Sequence, residues 1–274
     1  MSDYSLLLST FNTVAREYDA IRPGYPEALI QDVISLSDLP PGGRCLEVGC
    51  GNGQAALPFA VRGYRILSLD IGADMLSVAR EKFRPNSNVR FQQTSFENWQ
   101  PDPEPDLFDL VFSATAFHWV PAAVGYPKAA NVLKSGGALA VFDNRHPVPK
   151  QGFFVEVDAV YRQYDPGWKE PGKRRSVEDY TRAIARDISS TGLYADPPGV
   201  IVRRYPWTQT YTTEEYLRLI NTYSNHLALP TDNRKALYHG IADLIERRYG
   251  GKVGKEYLAV RNIARTKAVI IAQD

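Results

Sequence analysis

Apolar residues between positions 40 and 145 occur in short runs that alternate with segments of helical spacing. The runs are almost wholly apolar, which is typical of strands buried on both faces of a parallel sheet. Predicted strands are RCLEVG (44–49), YRILSLD (64–70), NVRF (88–91), FDLVFS (108–113) and ALAVFD (138–143). Predicted helices between them are 54–62, 73–83 and 122–134. This alternation predicts an α/β fold.

The pattern changes on both sides of this block. Before it, residues 3–19 and 26–37 have helical spacing and are separated by IRPGYP, whose prolines break the chain into a turn. After it come predicted helices and two more β-like stretches. The helices are 153–164, 176–191, 213–222 and 232–248, and the β-like stretches are VIVRRYPWTQTY (200–211) and a last part ending KAVIIAQ (267–273).

These elements predict a doubly wound, mostly parallel, seven-stranded sheet of the Rossmann-like type. We predict a helical amino-terminal cap over residues 1–38 and a core made of 39–145 and 196–274. We place a helical insertion near 212–250 within the core, and a helical lid or substrate region over 146–195. The helical insertions are expected to form a lid over the carboxyl edge of the sheet.

Composition narrows the choice of partner. Among 274 residues, 32 Lys and Arg nearly balance 31 Asp and Glu, so no net field attracts nucleic acid or an anionic membrane. No apolar stretch approaches the length of a membrane span, and the first residues lack the pattern of an export signal. The two cysteines predict reduced thiols. We therefore expect a soluble, cytoplasmic protein with a small-molecule partner, and the oligomeric state is left open.

The segment CLEVGCGNGQ (45–54) places Gly49, Gly51 and Gly53 where a predicted strand passes into a predicted helix. Because glycine lacks a Cβ and tolerates positive φ, a ligand can approach this backbone closely. In an open parallel sheet this is the edge at which nucleotides bind. Asp70 ends the next apolar run, where a carboxylate can accept hydrogen bonds from ribose hydroxyls. It could also cap the helix that begins near Ala73.

The spacing of the glycines and the residue before them indicate which nucleoside binds. A dinucleotide site needs G-x-G-x-x-G with a helix aimed at pyrophosphate, whereas this chain has G-x-G-x-G. Glu47 precedes the first glycine, and a carboxylate suits an ammonium or sulfonium better than a pyrophosphate. The pattern favours a cationic ligand that carries a ribose over a nicotinamide dinucleotide.

LEVGCGNG followed by LSLDIGADMLSVAR resembles the first two motifs of the class I S-adenosylmethionine-dependent methyltransferases. The likeness is to the small-molecule branch typified by trans-aconitate methyltransferase. It implies S-adenosylmethionine as cofactor and S-adenosylhomocysteine as product. The resemblance places Tyr18 and Arg22 at the methionine end, Ser95 and Phe96 at the adenine, and Ala114 beside the cofactor. The candidate cofactor-binding residues are then Tyr18, Arg22, Glu47, Gly49, Gly51, Gly53, Asp70, Ile71, Met75, Ser95, Phe96, Ala114 and Phe117.

The roles of several of these side chains have alternatives. Phe117 and Met75 could hold an adenine between them or belong to the core. Arg22 could bind a carboxylate or anchor the amino-terminal segment. His118, beside Trp119 just past the fourth strand, is the candidate catalytic residue, as a general base or a hydrogen-bond donor, or it only shapes the pocket.

A sulfonium methyl group is already electrophilic, so such a site needs orientation more than acid–base groups. We therefore expect methyl transfer to a small organic molecule, with an oxygen atom as the acceptor. Two alternatives are a protein of this fold that binds the cofactor without transfer and an RNA methyltransferase. The four histidines are scattered without metal-ligand spacing, so no metal site is predicted.

Overall fold

A computed structural model describes residues 19–101, 107–147, 149–165, 167–168, 176–196 and 198–267. These residues form two compact units. The sheet unit comprises the described residues of Gly24–Arg145, Arg175–Tyr205 and Ala259–Asp274. The helical unit comprises those of Met1–Pro23, His146–Arg174 and Pro206–Leu258. The predicted cap, core and lid boundaries remain a prediction.

The described strands form one seven-stranded sheet in the order β3-β2-β1-β4-β5-β7-β6. The pairs β1–β2, β1–β4, β2–β3 and β4–β5 are parallel. This confirms the predicted α/β class and doubly wound seven-stranded sheet. The strands are β1 Arg44–Val48, β2 Arg65–Asp70, β3 Val89–Gln93, β4 Phe108–Ala114, β5 Leu133–Arg145, β6 Ile201–Thr212 and β7 Lys252–Arg265. Strand order reverses between β1 and β4, and the crevice at such a point is where ligands bind in open α/β sheets.

Most of the described helices match predicted ones closely in position, whereas the short helix at Ser224–Leu227 was not predicted. They are α1 Glu27–Leu36, α2 Leu57–Ala60, α3 Ala73–Lys82, α4 Ala122–Val132, α5 Phe153–Tyr164, α6 Val177–Ser190, α7 Thr213–Ile220, α8 Ser224–Leu227 and α9 Thr231–Tyr249, with a 3₁₀ turn at Phe117–Trp119. The helix predicted over 54–62 is wrong in extent, because residues 51–56 form turns and only α2 is helical. The helix predicted over 3–19 lies outside the described residues except for Asp19, and the predicted β-like end KAVIIAQ (267–273) lies outside them except for Lys267.

Apolar side chains cover both faces of the central strands. On one face, Leu46, Val111 and Leu139 are fully buried and belong to a cluster that includes residues of α4 and α6. On the other, the Phe112 ring stacks on Phe59, with centroids 4.8 Å apart. Full burial of such a side chain contributes about 1.5–3 kcal/mol. The sheet is therefore a rigid support for the loops at its carboxyl edge.

The helical unit has an apolar core of its own, built from α5, α7, α9 and parts of β6 and β7. Buried Phe153, Leu219, Ile241 and Tyr257 belong to it. Thr212 begins α7 with a reciprocal capping box, in which its side chain and that of Glu215 each bond the other's backbone N–H. Among the helices that the structure describes, none has the length and hydropathy that a membrane span requires.

Candidate functional site

The loop after β1 carries three glycines in left-handed backbone conformations. The φ angles of Gly49, Gly51 and Gly53 are 72°, 53° and 80°. The backbone N–H groups of Gly49 and Cys50 both donate to the carbonyl of Leu69, at 2.9 and 3.0 Å. These bonds fix the start of the loop against β2. Residues other than glycine are strained at such φ angles, so the backbone conformation favours glycine at all three positions.

The three glycines differ in what surrounds them. A Cβ added at Gly49 would lie 2.4 Å from the Cβ of Ala116, and one added at Gly53 would lie 2.5 Å from a ring carbon of Phe83. A Cβ at Gly51 would meet no atom of the described residues within 4 Å. Two of the glycines therefore allow close packing of the protein on itself. Gly51 is the one whose bare backbone faces open space.

Asp70 joins this loop to the end of β2. One carboxylate oxygen accepts a hydrogen bond from the Gly51 N–H at 2.7 Å, and the other accepts one from the Gly72 N–H at 2.8 Å. The residue before α3 is Gly72, so Asp70 is not the capping residue of that helix. Burial raises the pKa of Asp70, while hydrogen bonds from backbone N–H groups, those of Gly72 and Gly51 among them, oppose the rise. Each oxygen can accept a further hydrogen bond, as ribose hydroxyls would require.

Glu47 is a buried carboxylate with one unused oxygen. Its Oε2 accepts a hydrogen bond from Ser68 Oγ at 2.7 Å, whereas Oε1 is buried and has no hydrogen-bond partner among the described residues. Burial raises the pKa of Glu47 to about 8, and the nearby charge of Asp70 adds to the rise. An unpaired buried carboxylate is costly, and a cation beside it would relieve that cost.

A second buried polar atom without a partner lies in the same loop. Asn52, between Gly51 and Gly53, is 2% exposed, and its Nδ2 has no hydrogen-bond partner in the described part of the chain. Asn52 was not among the residues predicted from the sequence, although its position inside the glycine motif could have pointed to it. The loop therefore offers a hydrogen-bond donor as well as the two carboxylates.

Two of the residues predicted to contact the adenine, Phe96 and Phe117, lie in one buried cluster. Phe96 and Phe117 are buried, with ring centroids 6.3 Å apart. Ser95 Oγ accepts a hydrogen bond from the Asn98 N–H at 3.2 Å. Met75 is buried on α3 and is not a member of the cluster that holds the two phenylalanines. The structure thus brings Phe96 and Phe117 together.

The end of β4 is shaped by contacts that the sequence did not reveal. Half-buried Ala114 ends the strand, and Thr115 follows with a φ of 56°, a strained conformation for a β-branched residue. The Thr115 hydroxyl lies 2.7 Å from the Tyr25 hydroxyl. The Tyr25 ring packs edge-on against Phe142, 4.9 Å between centroids. Local strain of this kind is concentrated at functional sites.

A cavity of about 380 Å³ lies beyond the 3₁₀ turn, lined by residues of that turn, the start of α4, and α6. His118 is on its wall and is solvent-exposed. Although part of the ring meets solvent, desolvation by surrounding atoms lowers the pKa of His118, and the positive charge of Arg145 lowers it further. The imidazole is therefore neutral near pH 7 and able to accept a proton.

A buried carboxylate supports another wall of this cavity. The Tyr180 hydroxyl, on α6, donates a hydrogen bond to Asp143 near the end of β5. Burial raises the pKa of Asp143 to about 6, and Arg145 opposes the rise. The Arg145 guanidinium lies 4.3 Å from the centroid of the Tyr180 ring. Neither Asp143 nor Tyr180 was a candidate in the sequence, because nothing local links the two positions.

Other candidates lie elsewhere. Arg22 belongs to the helical unit, where its side chain donates to Thr222 Oγ1 at 2.9 Å and lies over the Tyr223 ring. Ile71 follows β2 and is half-buried, and its carbonyl accepts a hydrogen bond from the Gln93 side chain at 3.4 Å. Tyr18 lies outside the described residues. In the described ranges no group of three His, Cys, Asp or Glu could hold a metal ion.

Comparison with known proteins identifies what this geometry resembles. Residues 45–137 match a family described as a methyltransferase domain. The chain is 35% identical over 176 residues to the ubiquinone biosynthesis O-methyltransferase of Marinobacter nauticus. The aligned part covers 61% of this chain and 72% of that protein. It is 31% identical over 226 residues to the malonyl-[acyl-carrier protein] O-methyltransferase of a Paenibacillus species, 77% of each chain.

Lower similarity extends to other proteins. The match to a relative from Saccharomyces cerevisiae spans 58% of that protein's length. Among solved structures, phosphoethanolamine N-methyltransferase 2 of Haemonchus contortus, crystallised with S-adenosylhomocysteine and phosphomonomethylethanolamine, superposes with a TM-score of 0.54. Its sequence identity is 18%, and the alignment covers 98% of this chain and 61% of that one. At that identity the likeness concerns the fold.

Proposed function

Because the chain belongs to the class I S-adenosylmethionine-dependent methyltransferases, we propose that it transfers the methyl group of S-adenosylmethionine to an oxygen of a small organic molecule. Both curated relatives described above are named O-methyltransferases, which supports oxygen as the target. The free, buried Cys45 and Cys50 support a reducing compartment, and we propose the cytoplasm.

The observation that carries the proposal is Oε1 of Glu47, which is buried without a hydrogen-bond partner among the described residues and lies near the charge of Asp70. Glu47 and Asp70, near the carboxyl ends of two neighbouring parallel strands, favour the binding of a positively charged nucleoside. The open space at Gly51 admits that ligand against the backbone. Glu47 would bind a cationic group of the ligand, Asp70 the ribose hydroxyls, and Asn52 Nδ2 would donate a hydrogen bond to it.

Further residues complete the binding site in this proposal. Ser95, Phe96 and Phe117 would contact the adenine, with Ile71 and Met75 beside it. Ala114 would line the passage to the acceptor, while Gly49 and Gly53 hold the loop in place. Tyr18 and Arg22 stay candidates for the methionine end.

The bound cofactor supplies an electrophilic methyl group on a positively charged sulfur, which keeps the electron pair of the broken bond. The protein orients the acceptor, excludes water and receives a proton. His118 would act as the general base, since its lowered pKa leaves the imidazole neutral at physiological pH. For a carboxylate acceptor no base is needed, and His118 would then only position the acceptor.

Replacing Asp70 with alanine is expected to weaken S-adenosylhomocysteine binding about 10-fold to 100-fold. A loss of this size is about 1.4–2.7 kcal/mol, close to the worth of one hydrogen bond to a charged acceptor. Calorimetric titration measures the affinity. Asp70→Asn retains a hydrogen-bond acceptor for the loop, so this variant is expected to lose less affinity for S-adenosylhomocysteine than Asp70→Ala.

Asp74→Ala serves as the control, because it removes an exposed acid from the first turn of α3. Thermal unfolding of each variant separates loss of the site from loss of the fold. Undiminished binding by folded Asp70→Ala would contradict the cofactor assignment. Incubation of wild-type protein with labelled donor and a metabolite extract tests transfer itself. The absence of any labelled small product, despite cofactor binding, would contradict the proposed activity.

A further inference from the structure

The cavity beyond β4 is joined to the glycine loop by one short segment. Ala116 packs against Gly49, so closely that an added Cβ would lie 2.4 Å away. The next three residues, Phe117–Trp119, form the 3₁₀ turn that lines the cavity. The first residue of the cavity wall, Phe117, therefore directly follows in sequence a residue that packs on the loop that we assign to the cofactor. Its volume of about 380 Å³ lies within the range of small-molecule sites.

Aromatic and apolar side chains make up most of the cavity wall. Phe117, Trp119, Tyr126 and Tyr180 contribute four rings, and Ile184 on α6 contributes an aliphatic surface. Flat aromatic rings pack favourably on such walls. The volume and the walls together suit an acceptor with a single aromatic ring better than a flexible polar chain.

The charge on the wall is negative. Asp187, half-buried on α6, is the acidic residue that lines the cavity, and no Lys or Arg is among the described lining residues. Asp143 lies behind the wall, bonded to Tyr180. The negative charges of Asp187 and Asp143 add to burial in raising the pKa of Tyr126, which is another residue of the cavity wall.

Two cations lie near these carboxylates. Arg145 is stacked on the Tyr180 ring and offsets the charge of Asp143. Arg186 Nε lies 3.8 Å from Asp187 Oδ1, and its side chain is 75% exposed. An exposed pair of this length contributes little. His118 adds no charge near pH 7, because its pKa is lowered. Aromatic rings with a carboxylate form a typical site for an organic cation.

We propose that this cavity holds the methyl acceptor, and that the acceptor is a phenol carrying an amine group that pairs with Asp187. The inference rests on the proposed function. The phenol oxygen forms the bond to the methyl carbon, the sulfur keeps the electrons of the broken bond, and the phenol proton passes to His118 and then to water. A molecule with several carboxylates would meet Asp187 without a lining cation to pair with it.

Three phenols with matched rings test the charge preference. Tyramine carries an ammonium, tyrosol a neutral hydroxyl and 4-hydroxyphenylacetate a carboxylate. We expect the wild-type protein with S-adenosylmethionine to methylate tyramine with a KM roughly 10-fold below that for tyrosol, and to methylate the carboxylate least. Asp187→Asn is expected to raise the tyramine KM to that of tyrosol and to abolish the preference for the ammonium. Asp243→Asn removes the same charge from α9 in the helical unit and should change neither.

A second variant tests the location of the site. Ile184→Trp fills the cavity and should abolish methylation of all three phenols, with S-adenosylhomocysteine binding retained. Equal KM values for the three phenols, preference for the carboxylate, or full activity of folded Ile184→Trp would each overturn the inference. Turnover of a different acceptor, with no phenol methylated, would also overturn it and leave the proposed function standing. Failure to bind S-adenosylhomocysteine would instead refute the proposed function.

Discussion

Gly51→Ala is expected to abolish cofactor binding while leaving the fold largely intact, whereas the same change at Gly49 or Gly53 is expected to destabilise the protein. The three positions share a left-handed backbone, so each alanine carries a conformational cost of about 1–2 kcal/mol. At Gly49 and Gly53 the new methyl group also meets Ala116 or Phe83 at 2.4–2.5 Å. Overpacking of that kind costs about 1–3 kcal/mol more.

At Gly51 the methyl group enters the space that we assign to the ligand. We expect affinity for S-adenosylhomocysteine to fall by about 100-fold or more, which is about 3 kcal/mol. Denaturant unfolding and calorimetric titration on the same variants measure the two effects separately. Gly49→Ala and Gly53→Ala are expected to lose roughly 2–5 kcal/mol of unfolding free energy.

Gly63→Ala is the matched control for backbone strain. Gly63 has a φ of 82°, and no atom of the described residues lies within 4 Å of an added Cβ. This variant should match Gly51→Ala in stability and bind S-adenosylhomocysteine like the wild type. If Gly51→Ala keeps full affinity, the open space beside Gly51 is not the ligand site.

Most strands and helices could be predicted from the sequence, because the patterns that identify them lie within each element. Nearly continuous apolar runs identify β1, β2 and β4, and the helical spacing around α5 and α6 fixes their ends within a residue or two. The start of β5 could not be predicted. Lys134–Gly137 has the composition of a turn, but β5 begins at Leu133, which pairs with Phe108 across an irregularity in the β4–β5 register. Only the partner strand determines that pairing.

The residues of the candidate site could likewise be predicted only where local sequence identifies them. Glu47, Gly51 and Asp70 lie in short motifs at strand ends, so their proximity follows from the parallel sheet. The different surroundings of Gly49 and Gly53 depend on Ala116 and Phe83, which are distant in sequence. The pair Asp143 and Tyr180 likewise forms only when α6 packs beside β5. Contacts between elements therefore decide which residues of a motif face the ligand and which face the protein.

Affinity for S-adenosylmethionine is expected to rise with pH between pH 6 and 8.5. The pKa of Glu47 is raised to about 8, so its carboxyl group is mainly protonated at pH 6 in the free protein. A cationic ligand binds the ionised form, and the proton must leave before the ion pair forms. The expected change over this range is on the order of 100-fold, since each pH unit below the pKa costs up to tenfold. Titration calorimetry at fixed ionic strength measures it.

The same group predicts the pH dependence of stability in the absence of ligand. The pKa of Glu47 is raised above its ordinary value of 4.5, so the folded protein holds this proton more tightly than the unfolded chain. The resulting stabilisation is complete below pH 4.5 and is lost as pH rises to about 8, by at most about 1.4 kcal/mol per pH unit. Glu47→Gln cannot titrate and should lack this component in denaturant unfolding.

Two variants separate Glu47 from other titrating groups. Glu47→Gln is expected to bind S-adenosylmethionine about 100-fold more weakly at pH 8.5 and to show a flat pH profile, because no carboxylate remains to pair with the cation. Ser68→Ala removes the hydrogen bond that lowers the pKa of Glu47, so the midpoint of its profile should move to higher pH. If the wild-type and Glu47→Gln profiles have the same slope, Glu47 does not bind the cation. If S-adenosylhomocysteine shows the same dependence as S-adenosylmethionine, the partner of Glu47 is the ammonium common to both ligands; if only S-adenosylmethionine does, the partner is the sulfonium.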